Sequence, residues 1–262
     1  MFQLQGRAGR IASQIIVVVA LLMFVIPLVL IASQSLAGEG LKNYIVVLST
    51  TPFLRFFANS VIVSVSTVFL VLALALGASY CFAVLKPRGS TVGGVILLTG
   101  LALPAIALVV PLYFAVQALG LLDTYWSVII PMTAISIPFG SLLGSNYIRG
   151  LPVEIFEAAQ LDGASSWQFF WQILLPICRP ILTVIAMFTF LAAWNEYLLP
   201  LLFIQSTDLQ VLTQVPTYFQ SERLVDTPKV FAASILISLP VVVVFVALQN
   251  TFRAGLSAGA VK

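Results

Sequence analysis

From Arg149 to Arg179 the chain reads RGLPVEIFEAAQLDGASSWQFFWQILLPICR, a charged and proline-marked segment set between two long apolar runs. Pro152 stands at a helix entry, Glu154 and Glu157 fall in the early turns, and Gly163 supplies a stop where positive φ is needed. This predicts a short helix from Val153 to Leu161. A second helical stretch follows, with Phe170, Trp171, Leu174 and Leu175 on one side and Gln168 and Gln172 on the other. Pro176 and Pro180 separate it from the next run. Such a hinged, amphipathic pair beside a membrane has the form of a rigid peg for a partner; the alternative is an interfacial helix lying on lipid headgroups.

Outward from this segment, the charged residues delimit six apolar runs: Ile11 to Gly38, Phe56 to Leu85, Gly89 to Leu122, Thr124 to Ile148, Pro180 to Thr207 interrupted by Glu196, and Val230 to Phe252. The 262 residues are 61% hydrophobic and 8% charged, whereas a soluble domain carries about 25% charged residues. A bilayer core is spanned by about 20 apolar residues in a helix, so each run crosses once. Barrel strands would alternate over about 10 residues, and these runs do not. Arg7 and Arg10 precede the first run as in a secretory signal, but Ile15 to Ala32 is too long and holds no small-residue cleavage site. It reads as a retained helix in which Pro27 is a tolerated kink. The expected fold class is an all-α integral membrane protein with six transmembrane helices.

Basic residues gather on the cytoplasmic side of short loops. With the amino terminus inside, the inner segments hold Arg7, Arg10, Lys86, Arg88, Arg149, Arg179, Arg253 and Lys262, against Lys42, Arg55, Arg223 and Lys229 outside. Both termini are therefore expected in the cytoplasm, with Glu39, Asp123, Asp208, Glu222 and Asp226 outside. Cys81 and Cys178 fall near cytoplasmic helix ends, a reducing side where a structural disulfide is not expected.

The composition also excludes functions. There is no histidine, which removes Ser-His-Asp and Cys-His catalysis and the usual zinc sites. No Gly-x-x-x-x-Gly-Lys-Ser/Thr loop occurs, so ATP and magnesium would be bound by a partner, and no cofactor is expected in this chain. Lysine and arginine are absent from the runs and Glu196 is the one acid inside them, a poor basis for a proton- or sodium-coupled carrier. A self-sufficient secondary carrier for a small polar solute is the alternative function; an intramembrane enzyme lacks its catalytic pair.

Within the quoted segment, Glu157-Ala158-Ala159, three residues, Gly163, nine residues, then Ile173-x-Leu175-Pro176 match every fixed position of the EAA loop. The chain thereby resembles the permeases of binding-protein-dependent importers of the ATP-binding-cassette type. The resemblance implies a type I importer fold in which the loop is a coupling helix docking into a cleft on the ATPase, with Glu157, Ala158, Ala159, Asp162, Gly163, Leu175 and Pro176 as the coupling residues. Glu157 as a cap of its own helix is the alternative.

From Asn59 onward the likeness is to the second, shorter permease of maltose-type carbohydrate importers. It is carried by Asn59-Ser60, Pro111-Leu112-Tyr113, Leu119-Gly120-Leu121-Leu122-Asp123-Thr124, Ile137-Pro138-Phe139, Trp194-Asn195-Glu196-Tyr197 and the tail Gly255 to Lys262. It implies a heterodimer with a second permease, two ATPase subunits, an extracytoplasmic binding protein and a sugar-like solute, in the cytoplasmic membrane. The corresponding organisation is 1–54 for the first helix and outer loop, 55–252 for the transmembrane core with the loop at about 150–179, and 253–262 for a cytoplasmic tail. Sugar sites use amides, hydroxyls and aromatic faces. Asn195, Trp194 and Glu196 are the candidate solute path, Asn195 and Glu196 lying roughly 22 to 24 Å along a helix from Pro180. An interhelical hydrogen bond by Asn195 is the structural alternative.

Overall fold

The computed structural model describes residues 7–221 and 224–260; the expected placements of Glu222, Arg223 and Lys262 lie outside the described residues. Among the described residues the chain is helical, with one isolated bridge pairing Gln220 with Val225. The helices are α1 (Arg7–Ser35), α2 (Lys42–Thr50), α3 (Phe53–Tyr80, continued by a π turn Cys81–Leu85), α4 (Ser90–Thr99), α5 (Ala105–Ala118), α6 (Trp126–Arg149), α7 (Val153–Leu161), α8 (Ser166–Ile177), α9 (Arg179–Trp194), α10 (Leu198–Phe203) and α11 (Thr227–Ala260).

Four of the six apolar runs form unbroken helices long enough to span a bilayer: Gly9–Ser35, Phe53–Leu85, Trp126–Arg149 and Thr227–Gln249. The run from Gly89 to Leu122 is bent by 108° between Ser90–Ala102 and Ala105–Ala118, and the run from Pro180 begins in Arg179–Trp194, which meets Ser166–Ile177 of the preceding loop at 73°. The first bend lies at Leu103-Pro104, where Leu103 is forced to extended backbone (φ −81°, ψ 123°) by the proline ring that follows it. Pro27, Pro111, Pro131, Pro138 and Pro240 stand inside helices without ending them, as intramembrane helices tolerate. The second bend falls at Cys178, between Pro176 and Pro180, where the sequence places a hinge.

Two compact units divide the chain, Met1–Phe53 with Val215–Leu239 and Leu54–Gln214 with Pro240–Lys262. In the first, the Asn43 amide donates to the carbonyls of Ser35 and Ala37, both at 2.9 Å, and the hydroxyls of Ser35 and Tyr44 bond at 2.6 Å. These tie α2 to the end of α1. In the second, two apolar cores lie at the two ends of α3 and α6. Val71, Ala75, Tyr80, Ile148, Phe169, Leu174, Cys178 and Ile185 belong to one, and Val63, Val128, Met132, Ala193, Leu199 and Phe203 to the other. Near the first core α6 crosses α3 through small residues. A Cβ on Gly144 would sit 2.3 Å from Ser79 Oγ, and one on Gly140 would sit 3.0 Å from Ala75 Cβ. Removing side chains here lets the backbones approach, the ordinary driver of helix association where lipid supplies no hydrophobic force.

Candidate functional site

The segment from Gly150 to Arg179 folds as two short helices packed on the ends of α3, α6 and α9. α7 stops where expected. Gly163 takes φ +73°, its N–H donates to Gln160 O (3.1 Å), and Ala164 N–H reaches back to Ala159 O (3.0 Å), the paired bonds of a left-handed glycine cap. α8 opens on a reciprocal cap: Ser165 Oγ accepts from Gln168 N–H, and Gln168 Oε1 accepts from Ser165 N–H at 2.9 Å.

The helices are held by their apolar sides. Phe156 packs on Phe169 with ring centroids 5.2 Å apart, and Tyr80 of α3 lies 6.2 Å from Phe169 and 5.3 Å from Phe170. Ala159 and Leu174 are buried in the same core, with Ile155, Leu175 and Ile173 against it. Two tyrosines fasten the backbone: Tyr80 donates to Ser166 O at 3.3 Å and Tyr147 to Ile177 O at 3.1 Å.

The other side of α7 is open. Glu154, Glu157, Ala158 and Leu161 stand at i, i+3, i+4 and i+7, all exposed, Leu161 at 88%. The carboxylates of Glu154, Glu157 and Asp162 make no ion pair or hydrogen bond among the described residues, so Glu157 does not bond to its own helix end. The EAA pattern thus divides by face. Ala159 faces the core, while Glu157 and Ala158, together with Leu161, form an acidic and apolar strip one helix long. Asp162, Gly163 and Pro176 are exposed and Leu175 is half-buried.

At the opposite end of the bundle the polar groups are engaged. Asn59 donates to Asp208 O (2.8 Å) and Gln210 O (2.7 Å) and accepts from Tyr125 hydroxyl (2.8 Å). Leu212 N–H donates to Ser60 Oγ at 2.9 Å. Asp123 takes φ +58°, a conformation that aspartate tolerates better than most residues. Its N–H donates to Phe203 O (2.8 Å), and its carboxylate accepts from Gln205 N–H (2.9 Å), Ser206 N–H (2.8 Å) and the Ser206 hydroxyl. The Ser206 hydroxyl and then the Ser206 N–H hold the Asp123 carboxyl below its ordinary value; burial opposes them, and the Gln205 N–H adds a lesser lowering effect.

The three candidate solute-path residues part company here. The helix ends at Trp194 and not beyond it, so Asn195 is a cap and not a mid-helix residue; its amide donates to Leu191 O at 2.8 Å. Asn195 is exposed. Trp194 is 2% exposed, edge-on to Phe57 at 5.8 Å and beside Phe190 at 5.4 Å. Glu196 caps α10 by accepting Leu199 N–H at 2.9 Å. Asn59, Ser60, Asp123, Tyr80 and Tyr147 carry roles that their own positions do not announce. Only the Ser165-x-x-Gln168 cap had a local signature.

Residues 80–257 match the family model of the binding-protein-dependent transport system inner membrane component. The chain is 35% identical over 207 residues to the diacetylchitobiose uptake system permease protein NgcG of Streptomyces coelicolor, covering 78% of this chain and 68% of that one. It is 33% identical over 207 residues to the melibiose/raffinose/stachyose import permease protein MelC of Bacillus subtilis, covering 79% and 75%. Its fold superposes with a TM-score of 0.80, at 21% identity and over 96% of this chain and 99% of the other, on a bacterial ABC transporter involved in import of the acidic polysaccharide alginate. A multi-pass membrane chain with this loop, this family match and these relatives is no self-sufficient carrier: it belongs to the binding-protein-dependent transport system inner membrane components, the non-catalytic permease subunits of ATP-binding-cassette importers, whose ATPase is a separate subunit.

Proposed function

We propose that this chain pairs with a second, related permease to form the path for a sugar or sugar-like solute, delivered by an extracytoplasmic binding protein and driven by two ATPase subunits that bind ATP and magnesium. The relatives named for diacetylchitobiose and for melibiose, raffinose and stachyose support that solute class. The working division is residues 1–54, a transmembrane core of 55–252 and a tail of 253–262.

The observation that carries the coupling role is the exposed strip Glu154, Glu157, Ala158 and Leu161 on a helix whose other side is packed into the bundle. Small Ala158 permits close approach, the acids meet a basic partner, and Leu161 is an apolar anchor without a core of its own. Asp162, Gly163, Leu175 and Pro176 set the angle at which the strip is offered, with Ala159 as its seat. The excess of basic residues at this end supports its placement in the cytoplasm, with both termini on the same side. Exposed Asn195 is the side chain of the Trp194-Asn195-Glu196 group best placed to meet solute; Trp194 and Glu196 shape the break around it.

A photo-crosslinking residue at Leu161 in the assembled importer tests the reading. An adduct with the ATPase is the expected result; adducts with lipid alone make α7 an interfacial helix. Single cysteines at Ser165 and Ser221 fix the sidedness. Ser165 should resist an impermeant thiol reagent added outside and Ser221 should react.

A further inference from the structure

Beside the coupling loop, α6 lines a narrow open cleft with Ser141, Ser145 and Arg149, four residues apart, facing Phe82, Gly94 and Leu97. The row spans two helical turns, about 12 Å. Ser141 is 1% exposed and its Oγ has no hydrogen-bond partner among the described residues, although a helical serine can bond the carbonyl one turn back. Arg149 makes one long bond, Nη2 to Phe82 O at 3.5 Å, and keeps its other donors. On the far flank of Arg149 a second groove is lined by Lys86 and Gln160, and no carboxylate lines either one. At Gly94 an added Cβ would lie 4.0 Å from Phe82, so the cleft is not closed by close packing there.

We propose that this cleft binds an anionic glycerophospholipid of the leaflet at the α7 end. Its phosphate sits at Arg149 and Lys86, an ester carbonyl accepts from the Ser141 hydroxyl, and an acyl chain lies along Phe82 and Leu97. A basic pocket between membrane helices recognises such headgroups. Free phosphate would satisfy Arg149 and leave Ser141 unpaired two turns deeper. A zwitterionic headgroup would bring an ammonium against two cations with no carboxylate to receive it. Only the choice of leaflet rests on the orientation proposed above.

The test uses the assembled importer in phosphatidylcholine vesicles doped with phosphatidylglycerol carrying a photoreactive acyl chain, with adducts mapped by peptide. Labelling should fall between Gly94 and Leu98. Arg149→Gln should lower it about five-fold, the factor that one cation near an anionic membrane provides. Gly94→Leu, which fills the cleft and keeps both cations, should remove it. Equal labelling by photoreactive phosphatidylcholine, loss of labelling on adding inorganic phosphate, an unlabelled stretch in the intact complex, or no change in Arg149→Gln would each overturn the site. A Ser165 cysteine that reacts from outside would instead overturn the orientation and leave the lipid site standing.

Discussion

At the α7 end of the bundle the fastening groups are aromatic and apolar, and the charged groups are left open; at the opposite end the fastening groups are themselves polar. Tyr80, Phe156, Phe169 and Phe170 hold α7 and α8 down, while Glu154, Glu157 and Asp162 are exposed and bond to nothing among the described residues. Asn59, Asp123 and Glu196 instead take up backbone and side-chain donors of their own chain. Carboxylates that have been used internally cannot recognise a partner without undoing the fold. Carboxylates on a rigid, otherwise packed helix can. The contrast supports the proposal that the α7 strip is a docking surface, and it makes the Asp123 cluster a structural staple.

The largest effect expected from breaking this comparison is Phe169→Ala. It removes the ring on which Phe156 and Tyr80 pack and should cost about 3–5 kcal/mol, read as loss of thermal resistance of the purified permease pair and faster proteolysis between Gly150 and Arg179. If the variant is as resistant as the parent, the loop is not held by that core.

Asp123 should matter less. Asp123→Ala removes hydrogen bonds to a charged group and adds a poorer residue at positive φ, a loss of about 1–3 kcal/mol; Asp123→Asn keeps an acceptor and the backbone preference and should lose less. Because the folded carboxyl is held below its ordinary value, its contribution is complete above the unfolded value, near 3.9, and is lost as pH falls through the folded one. The gap in melting temperature between parent and Asp123→Asn should therefore narrow as pH is lowered below the unfolded value of about 3.9. Absence of a gap at every pH would assign the staple to Asp123 N–H, which both chains keep, and not to its carboxylate. Asn195→Ala should change stability least, within about 0.5 kcal/mol as for an exposed site, while weakening solute uptake in vesicles. If the complex instead falls apart, Asn195 is packing and not path.

The two ends were unequally legible. α7 was readable to the residue because its determinants are local: a proline entry, a glycine stop ten residues on from Val153, and the hydrophobic side between them. The apolar runs match four unbroken spans and the start of two more, and the bend at Cys178 falls at the expected hinge, but the bend inside the run from Gly89 was not readable. Leu103-Pro104 differs from the five tolerated prolines only in its surroundings. The opposite end was opaque because its partners are remote in sequence. Asn59 meets Asp208 and Gln210 across about 150 residues, and Asp123 meets Ser206 across 83. Expecting Asn195 and Glu196 inside one helix failed for a related reason, since Glu196 is recruited to cap α10 and Thr213 donates to its carbonyl at 2.8 Å.

The account turns on whether the exposed strip of α7 transmits ATP hydrolysis, and co-purification of the ATPase with the permease pair, together with binding-protein-stimulated ATP hydrolysis, measures that in Glu157→Lys and Gly163→Val. Glu157→Lys sets a like charge against a basic partner, on the order of several kcal/mol at an interface. No atom lies within 4 Å of a Cβ at Gly163, so valine there acts only through the φ of +73° that it cannot readily hold. Both variants should insert and pair normally yet lose the ATPase or its stimulation, and Gly163→Asn, which tolerates that φ, should keep most of it. Full ATPase retention and parental transport in both Glu157→Lys and Gly163→Val would contradict the account.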